Sequence, residues 1–336
     1  MPVPVRDSHP VFLFGAGFNI NANGEVAPTW VNSLYGPHQI EAGYPLLTDM
    51  VRLCFNLEKV PPGKSIEDLF SDAEGRNDYA PLSKLAHCLR KADNYIALPL
   101  ASREKSSCYR EFFQRFAGGC FVTFNYDALP ETFLFRLGRW FPPDGYGVPV
   151  AADLLPGKEE FLGKKSRSSV LHLHGSLSVR TLDYEIRREP GHAIRMLAER
   201  DQAAYAFDPY SVNNFAPFQR EVGSDDIQNR IIAPVPDKSR GLTRKFVKAI
   251  CAKARPLLRT SGNVIAIGYS FNRYDNASYK PLLTALAESR DRRLLIVSPD
   301  AVTVAARLRA EFPNLCIEPR KATFKKWVSE SYPGAL

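Results

Sequence analysis

Short apolar runs recur along the chain. They are VFLF (11–14), CFVTF (120–124), VLHL (170–173), RIIAPV (230–235), VIAIG (264–268), LLIVS (294–298) and LCIEP (315–319). Each run is shorter than an ordinary helix and almost continuously apolar, which is typical of strands buried on both faces of a parallel sheet. The segments between them carry helical periodicity, clearest in YPLLTDMVRLCFNL (44–57) and DAVTVAARLRAEF (300–312).

Strands that alternate with helices predict an α/β fold, here a doubly wound, Rossmann-like parallel sheet with helices on both faces. The stretch at about 138–230 is less regular, with one helix expected near 191–204. We interpret it as an irregular insertion or small subdomain within a single domain that spans residues 1–336.

Composition and charge argue against several classes of protein, including membrane and secreted proteins. The chain has 336 residues, 45% of them hydrophobic, but no apolar run approaches the length of a membrane span, and the N-terminus lacks the pattern of a signal peptide. A cytoplasmic protein without membrane contact is expected. The six cysteines form no C-x-x-C pair, so no metal site is predicted. A net charge of +8 permits nucleic-acid contact without establishing it.

Glycine and polar residues follow four of the predicted strands, at the sheet edge where open α/β folds bind their ligands. They are Gly15, Ala16, Gly17, Phe18 and Asn19 after the first run, Thr123, Phe124, Asn125 and Asp127 at the second, His174 at the third, and Gly268, Tyr269, Ser270 and Asp275 after the run at 264. Gly-x-Gly after a strand suits close approach to a pyrophosphate.

Three common nucleotide and hydrolase motifs do not fit. Ile20 stands where the dehydrogenase fingerprint needs its third glycine, and no G-x-x-x-x-G-K-[ST] sequence occurs. Ser270 lacks the second glycine of a nucleophile elbow, because Asn272 occupies that position.

The order GAG, NYD, HGS and GYS resembles that of sirtuin-like (Sir2-like) domains, and the resemblance extends from about residue 11 to 300. Two features depart from the family's protein deacylases. No cysteine lies between Cys120 and Cys251, so the zinc module is missing, and an insertion at about 18–42 follows the glycine motif, where Asn19 replaces a serine. The chain thus looks like the zinc-less bacterial branch, whose members hydrolyse NAD⁺ in anti-phage defence.

The resemblance implies an NAD⁺ hydrolase that takes NAD⁺ as substrate and releases nicotinamide and ADP-ribose. By the same resemblance, Asn125 and His174 match the catalytic pair, and Asp127 would bind the carboxamide or stabilise positive charge. The cofactor-binding residues would be Gly15, Ala16, Gly17, Phe18, Asn19, Thr123, Phe124, Gly268, Tyr269 and Ser270. Control is expected from a homo-oligomer or from a second defence subunit, either an ATPase or an Argonaute-like protein.

Other interpretations stay open. Asn125 and Asp127 could cap the helix that follows them, and His172 could be a core histidine or, with His174, a metal ligand. The alternative functions are an NAD-dependent protein deacylase that has lost its zinc and a non-catalytic NAD⁺- or ADP-ribose-binding regulatory subunit.

Overall fold

The structure is a computed structural model. It describes residues 10–21, 44–102, 107–150, 160–161, 163–182, 185–189, 192–197, 204–207, 231–288 and 292–331. Most of the insertion expected at about 18–42 therefore lies outside the described residues. No described helix is both long and apolar enough to span a bilayer.

The strands, numbered along the chain, are β1 (Val11–Phe14), β2 (Cys120–Thr123), β3 (Ser169–His172), β4 (Val179–Leu182), β5 (Glu185–Glu189), β6 (His192–Leu197), β7 (Ala204–Phe207), β8 (Asn263–Ile267), β9 (Arg293–Ser298) and β10 (Cys316–Lys321). Six of them form one sheet in the order β10-β9-β8-β1-β2-β3. All five pairings in this sheet are parallel. β4 pairs with β7, and β5 with β6, in two antiparallel ribbons.

The α-helices are α1 (Met50–Phe55), α2 (Ile66–Gly75), α3 (Ala80–Ala92), α4 (Leu98–Ser102), α5 (Cys108–Arg115), α6 (Leu129–Arg136), α7 (Pro142–Gly145), α8 (Ser239–Leu242), α9 (Lys245–Thr260), α10 (Asn276–Ala287), α11 (Ala301–Glu311) and α12 (Phe324–Ser331). Short 3-10 turns cover Ala16–Asn21, Leu47–Asp49 and Arg273–Asp275, and a π-helical turn covers Asp93–Ala97.

The sheet confirms the doubly wound, Rossmann-like α/β fold. When its six strands are counted along the chain, their spatial order is 3-2-1-4-5-6, which is the order of dinucleotide-binding sheets. The strand order reverses between β1 and β8, so this is the topological switch point. Ligands of open α/β sheets bind outside the carboxyl ends of the strands at such a point.

Two sequence-based predictions of local structure were wrong. The run at 230–235 forms no ladder in the sheet; it makes an isolated antiparallel bridge between Gly175 and Ile231. Pro234 and Pro236 have no N–H to donate, so an apolar, buried segment cannot become a sheet strand here. Within the helix expected near 191–204, the described residues 192–197 are strand β6 instead, because pairing with β5 overrides the helix propensity of their alanine, methionine and leucine; residues 191 and 198–203 lie outside the described residues.

Strand β1 runs through the centre of the core. Its four residues are at most 4% exposed, and its phenylalanines join a cluster of rings. Phe14 stacks on Phe18 at 3.9 Å between ring centroids, and Phe12 meets Phe112 edge to face at 4.9 Å. Aromatic pairs of this kind add about 0.5–1.5 kcal/mol each beyond the area that they bury. The cluster fixes the end of β1 and the turn that follows it.

Glycines close the gap between β1 and β8 at the switch point. The Gly17 N–H donates to the Gly268 carbonyl oxygen at 2.9 Å, and the Gly15 N–H donates to the Ile267 carbonyl oxygen at 3.2 Å. A Cβ on Gly17 would lie 2.8 Å from the Gly268 Cα, and one on Gly268 would lie 2.1 Å from the Phe18 nitrogen. Gly268 also has a φ of +61°, which favours glycine.

We expect Gly17→Ala to destabilise the fold by about 1–3 kcal/mol, because its Cβ would have to displace backbone rather than a flexible side chain. Gly262→Ala is the matched control, since a Cβ there meets no atom within 4 Å. The control should change stability by no more than about 0.5 kcal/mol. Urea unfolding of both variants measures the difference, and equal stability would contradict the packing role.

Candidate active site

The Asn125 side chain is attached to the glycine turn after β1. Its Nδ2 donates to the Gly15 carbonyl oxygen at 3.1 Å, and its backbone N–H donates to Thr123 Oγ1 at 3.0 Å. Thr123 is the last residue of β2, and the hydrogen bond to its hydroxyl shapes the loop that directs the Asn125 side chain toward β1. The parallel pairing of β1 and β2 brings these motifs together although they lie more than a hundred residues apart in the chain.

Asp127 and Asn19 form a buried pair across the same two turns. The Asn19 Nδ2 donates to Asp127 Oδ2 at 2.7 Å, and the Leu129 N–H donates to Asp127 Oδ1 at 3.1 Å. The second bond satisfies an N–H at the start of α6, so the capping interpretation holds for Asp127. Burial raises the pKa of Asp127 to about 6. Asn19 Oδ1 is buried without a hydrogen-bond partner among the described residues.

Asp93 stands behind Asp127 and was not predicted. It is fully buried in the π-helical turn, where the Tyr44 hydroxyl donates to its Oδ1 at 2.8 Å. The Ala128 N–H also donates to its carboxyl group, at 3.1 Å to Oδ2. Burial and the charge of Asp127 raise the pKa of Asp93 well above its ordinary value. π-Helical turns occur often at functional sites.

His172 and Glu131 form a fully buried pair beneath Asn125. His172 Nε2 lies 2.5 Å from Glu131 Oε1, and Nδ1 lies 3.0 Å from the Asn125 carbonyl oxygen. The carbonyl accepts only, so Nδ1 carries a hydrogen, and Nε2 and Glu131 share one further proton. Burial alone lowers the pKa of His172, but the charge of Glu131 and the hydrogen bonds to Glu131 and Asn125 raise it overall. His172 is thus a core histidine that holds the Asn125 backbone.

His174 lies in a second polar cluster. It is 3% exposed, its Nε2 is 3.0 Å from Ser278 Oγ, and the same nitrogen is 3.7 Å from Asp275 Oδ1. Phe124 packs edge to face on the imidazole, with 5.4 Å between ring centroids. Burial lowers the pKa of His174 to about 4, so the imidazole is neutral at pH 7 and can accept a proton.

Asp275 is the centre of this second cluster. It forms an ion pair with Lys238, which is 6% exposed, and it accepts a hydrogen bond from the Tyr269 hydroxyl at 3.1 Å. Burial raises the pKa of Asp275, but the charges of His174 and Lys238 and its hydrogen bonds lower it overall. Asp275 is therefore ionised at neutral pH.

The other predicted cofactor-binding residues are divided between core and surface. Phe18 is fully buried, and its N–H donates to the Gly15 carbonyl oxygen, while Ala16 is exposed. Phe124 stacks on Tyr269 with 3.9 Å between ring centroids. Ser270 is exposed, and its carbonyl oxygen accepts from Arg307 at 2.6 Å. Contact of these residues with a cofactor stays a prediction.

Sequence reasoning missed several members of the site: Asp93, Glu131, Lys238 and Ser278. Glu131 gave a signal, because a carboxylate follows Asp127 by four residues at the start of an otherwise apolar helix. Ser278 follows Asp275 by three residues but belongs to none of the motifs, whereas Asp93 and Lys238 lie in segments remote from them; only packing brings these side chains into the site. Across the described part of the chain, no cluster of three or more histidine, cysteine, aspartate or glutamate side chains could hold a metal ion.

Comparison with solved structures finds Sir2 homologues. One is a triple mutant in complex with 2′-O-acetyl-ADP-ribose, 14% identical, with a TM-score of 0.43 over 95% of this chain and 88% of that chain. Another is a homologue in complex with NAD, 13% identical, with a TM-score of 0.41 over 98% and 90%. No family model and no curated protein matches the sequence. With both TM-scores below 0.5, function has to be argued from the geometry of this chain.

We expect Glu131→Ala to destabilise the protein by about 3–5 kcal/mol, because it breaks a fully buried pair. Glu131→Gln should cost much less, since its amide can donate to a neutral His172. Glu318→Ala, at a side chain that is 52% exposed, is the control and should change stability by about 0.5 kcal/mol or less. Denaturant unfolding compares the three, and an Ala variant as stable as the control would contradict the pairing.

Protonation of His174 should destabilise the fold as the pH is lowered from about 6.5 to about 4, whereas Asp127, whose pKa is raised to about 6, works in the opposite direction below pH 6. His174 has a depressed pKa in the folded state, so the unfolded chain binds its proton first over this range. The loss from this one group is about 3 kcal/mol.

His174→Gln should lose correspondingly less stability between those pH values, because its side chain does not titrate. Asn314→Ala, at an exposed position that does not titrate, should keep the wild-type dependence. Chemical unfolding at several pH values measures all three proteins. A His174→Gln curve parallel to that of the wild type would refute the depressed pKa.

Proposed function

We propose that this protein hydrolyses NAD⁺ to nicotinamide and ADP-ribose. One observation carries the proposal: the Asn125 side chain, after β2, is hydrogen-bonded to Gly15 in the switch-point turn, and a buried neutral imidazole, His174, follows β3, the strand next to β2. A dinucleotide lying across the carboxyl ends of β1 and β8 would present its ribose to these groups.

The reaction breaks the bond between nicotinamide and its ribose through an oxocarbenium-like transition state. Nicotinamide leaves as a neutral molecule, so no general acid is required. A base that accepts a proton from a ribose hydroxyl or from the attacking water speeds such a step by about 10²–10⁴-fold. His174 suits this role, because its pKa of about 4 leaves the imidazole unprotonated at neutral pH.

The two carboxyl groups near Asn125, those of Asp127 and Asp93, suit the positive charge that develops on the ribose of the substrate. Asp127, with a pKa of about 6, is ionised at pH 7, whereas burial and the charge of Asp127 raise the pKa of the nearby Asp93 well above its ordinary value. The site thus places one buried negative charge beside Asn125. A fixed negative charge in a poorly solvated site stabilises an oxocarbenium ion more than it stabilises the neutral ribose, which is the differential binding that catalysis needs.

We further propose that the protein is an NAD⁺-depleting effector in anti-phage defence, acting in the cytoplasm and controlled by an oligomeric assembly or a second subunit. Burial of the site supports such control, because His174 is 3% and Asp127 2% exposed. A site in this state has to open before it admits a dinucleotide. The partner classes that fit are an ATPase and an Argonaute-like protein.

A time course with NAD⁺, followed by chromatography of nicotinamide and ADP-ribose, tests the activity. Asn125→Ala and His174→Ala should each lower turnover by about 10²-fold or more. Asn314→Ala and His87→Ala, at exposed positions, are the matched controls and should keep wild-type turnover. Thermal unfolding of each variant separates loss of chemistry from loss of fold.

The assay is run with the protein alone and with the products of neighbouring genes. Full turnover in both site variants would remove Asn125 and His174 from the mechanism. Tight NAD⁺ binding without turnover under any condition would instead favour a regulatory binding subunit, and turnover only with an acetylated peptide would favour a deacylase.

A further inference from the structure

The first residues of α10 surround the proton-accepting nitrogen of His174. Ser278 Oγ lies 3.0 Å from Nε2, and Asp275, directly before the helix, places Oδ1 3.7 Å from the same atom. Ser278 is 5% exposed and Asp275 8% exposed, so neither is a solvated helix-end residue. Both lie far from the histidine motif in the chain: 104 residues separate Ser278 from His174.

The hydrogen bond at Nε2 depends on which nitrogen of the neutral imidazole carries the hydrogen. Ser278 Oγ lies 3.0 Å from Nε2, and a serine hydroxyl donates to an unprotonated ring nitrogen. In the tautomer with its hydrogen on Nδ1, Nε2 is the acceptor and the Ser278 hydroxyl is its donor.

Charged groups reach the imidazole from two elements. Asp275 lies in the 3-10 turn before α10, and Lys238 directly precedes α8; the charge of Asp275 raises the pKa of His174, and that of Lys238 lowers it. Tyr126 and Tyr269 are the other titratable side chains packed around the cluster. Burial raises the pKa of both tyrosines, so they stay neutral.

We propose that Ser278, supported by the Asp275–Lys238 ion pair, is the positioning unit of His174: its hydroxyl holds the imidazole through Nε2, and Asp275 faces the same nitrogen to stabilise it once protonated. This inference rests on the proposed function, since it assigns the surroundings of the proposed base. The bland alternative is a buried serine that only satisfies a core histidine.

The arrangement matches what a base needs before and after proton transfer. Before transfer, Nε2 accepts from the Ser278 hydroxyl, which fixes the plane of the ring. When a substrate hydroxyl or water displaces the Ser278 hydroxyl from the single lone pair of Nε2 and gives its proton to that nitrogen, the new Nε2–H donates to the serine oxygen, which can accept as well as donate. The new positive charge then lies beside an ionised carboxylate. Lys238 opposes that charge, which keeps the imidazole neutral while no substrate is bound.

The first experiment is an NMR titration of the His174 ring in the full chain, with its resonance assigned by its loss in His174→Gln. Lys238→Met should raise the His174 pKa, because it removes the opposing positive charge. Asp275→Asn should lower it, because it removes the stabilising carboxylate. The double variant K238M/D275N, which leaves neither charge unpaired, should give a pKa between those of the two single variants.

The second experiment measures NAD⁺ turnover. Ser278→Ala should lower kcat by about tenfold, the effect of one lost positioning hydrogen bond, and leave KM nearly unchanged. Ser278→Thr keeps the hydroxyl and should restore most of the rate. Ser329→Ala, on α12, is the matched control and should match the wild type. The pH dependence of kcat/KM reports the pKa of the base in the free enzyme. The acidic limb of this profile should therefore move to higher pH in Lys238→Met.

The two experiments distinguish failure of this inference from failure of the proposed function. Opposite pKa shifts in the two charge variants, together with the loss in Ser278→Ala, support the positioning unit. Shifts in the same direction, or an unchanged kcat in Ser278→Ala, would overturn it. If the wild-type chain turns over no NAD⁺, the proposed function fails, and the titration alone then decides for or against this arrangement around His174.

Discussion

Close contact between the turns after β1 and β8 is the constraint on which the site depends. Gly15 and Gly17 approach the Gly268 backbone so closely that any side chain would force the two strands apart. The strands in turn place the Asn125 amide on Gly15 and the Tyr269 ring on Phe124. The three glycines thus make the switch point compact, and each polar cluster of the site is assembled against it.

The site buries four carboxyl groups, and each of them is stabilised in a different way. Asp93 accepts hydrogen bonds from Tyr44 and Ala128, and burial raises its pKa. Glu131 is paired with His172, and Asp275 with Lys238. Asp127, with a pKa of about 6, is ionised at neutral pH and accepts from Asn19 and Leu129. Because unpaired buried charges are costly, each carboxylate has a partner, and His174 in the neighbouring cluster is neutral.

The core residues and the site residues are continuous with each other. Phe14 and Phe18 anchor the glycine turn from the apolar side, and Phe124 joins the Asn125 turn to the imidazole of His174. A protein built in this way cannot open its site without moving a packed element. This physical coupling is the reason to look for control of activity in assembly or in a partner rather than in free diffusion of the substrate.

The sequence by itself indicated the sheet, because short apolar runs between amphipathic segments are typical of parallel strands buried on both faces, and it placed Asn125, Asp127 and His174 at strand ends. It could not determine the strand status of residues 230–235 or 192–197, where prolines and pairing partners outweigh local pattern. Nor could it find Ser278, Lys238 or Asp93. Their roles arise from contacts across long chain separations, and only tertiary packing decides which buried polar groups meet.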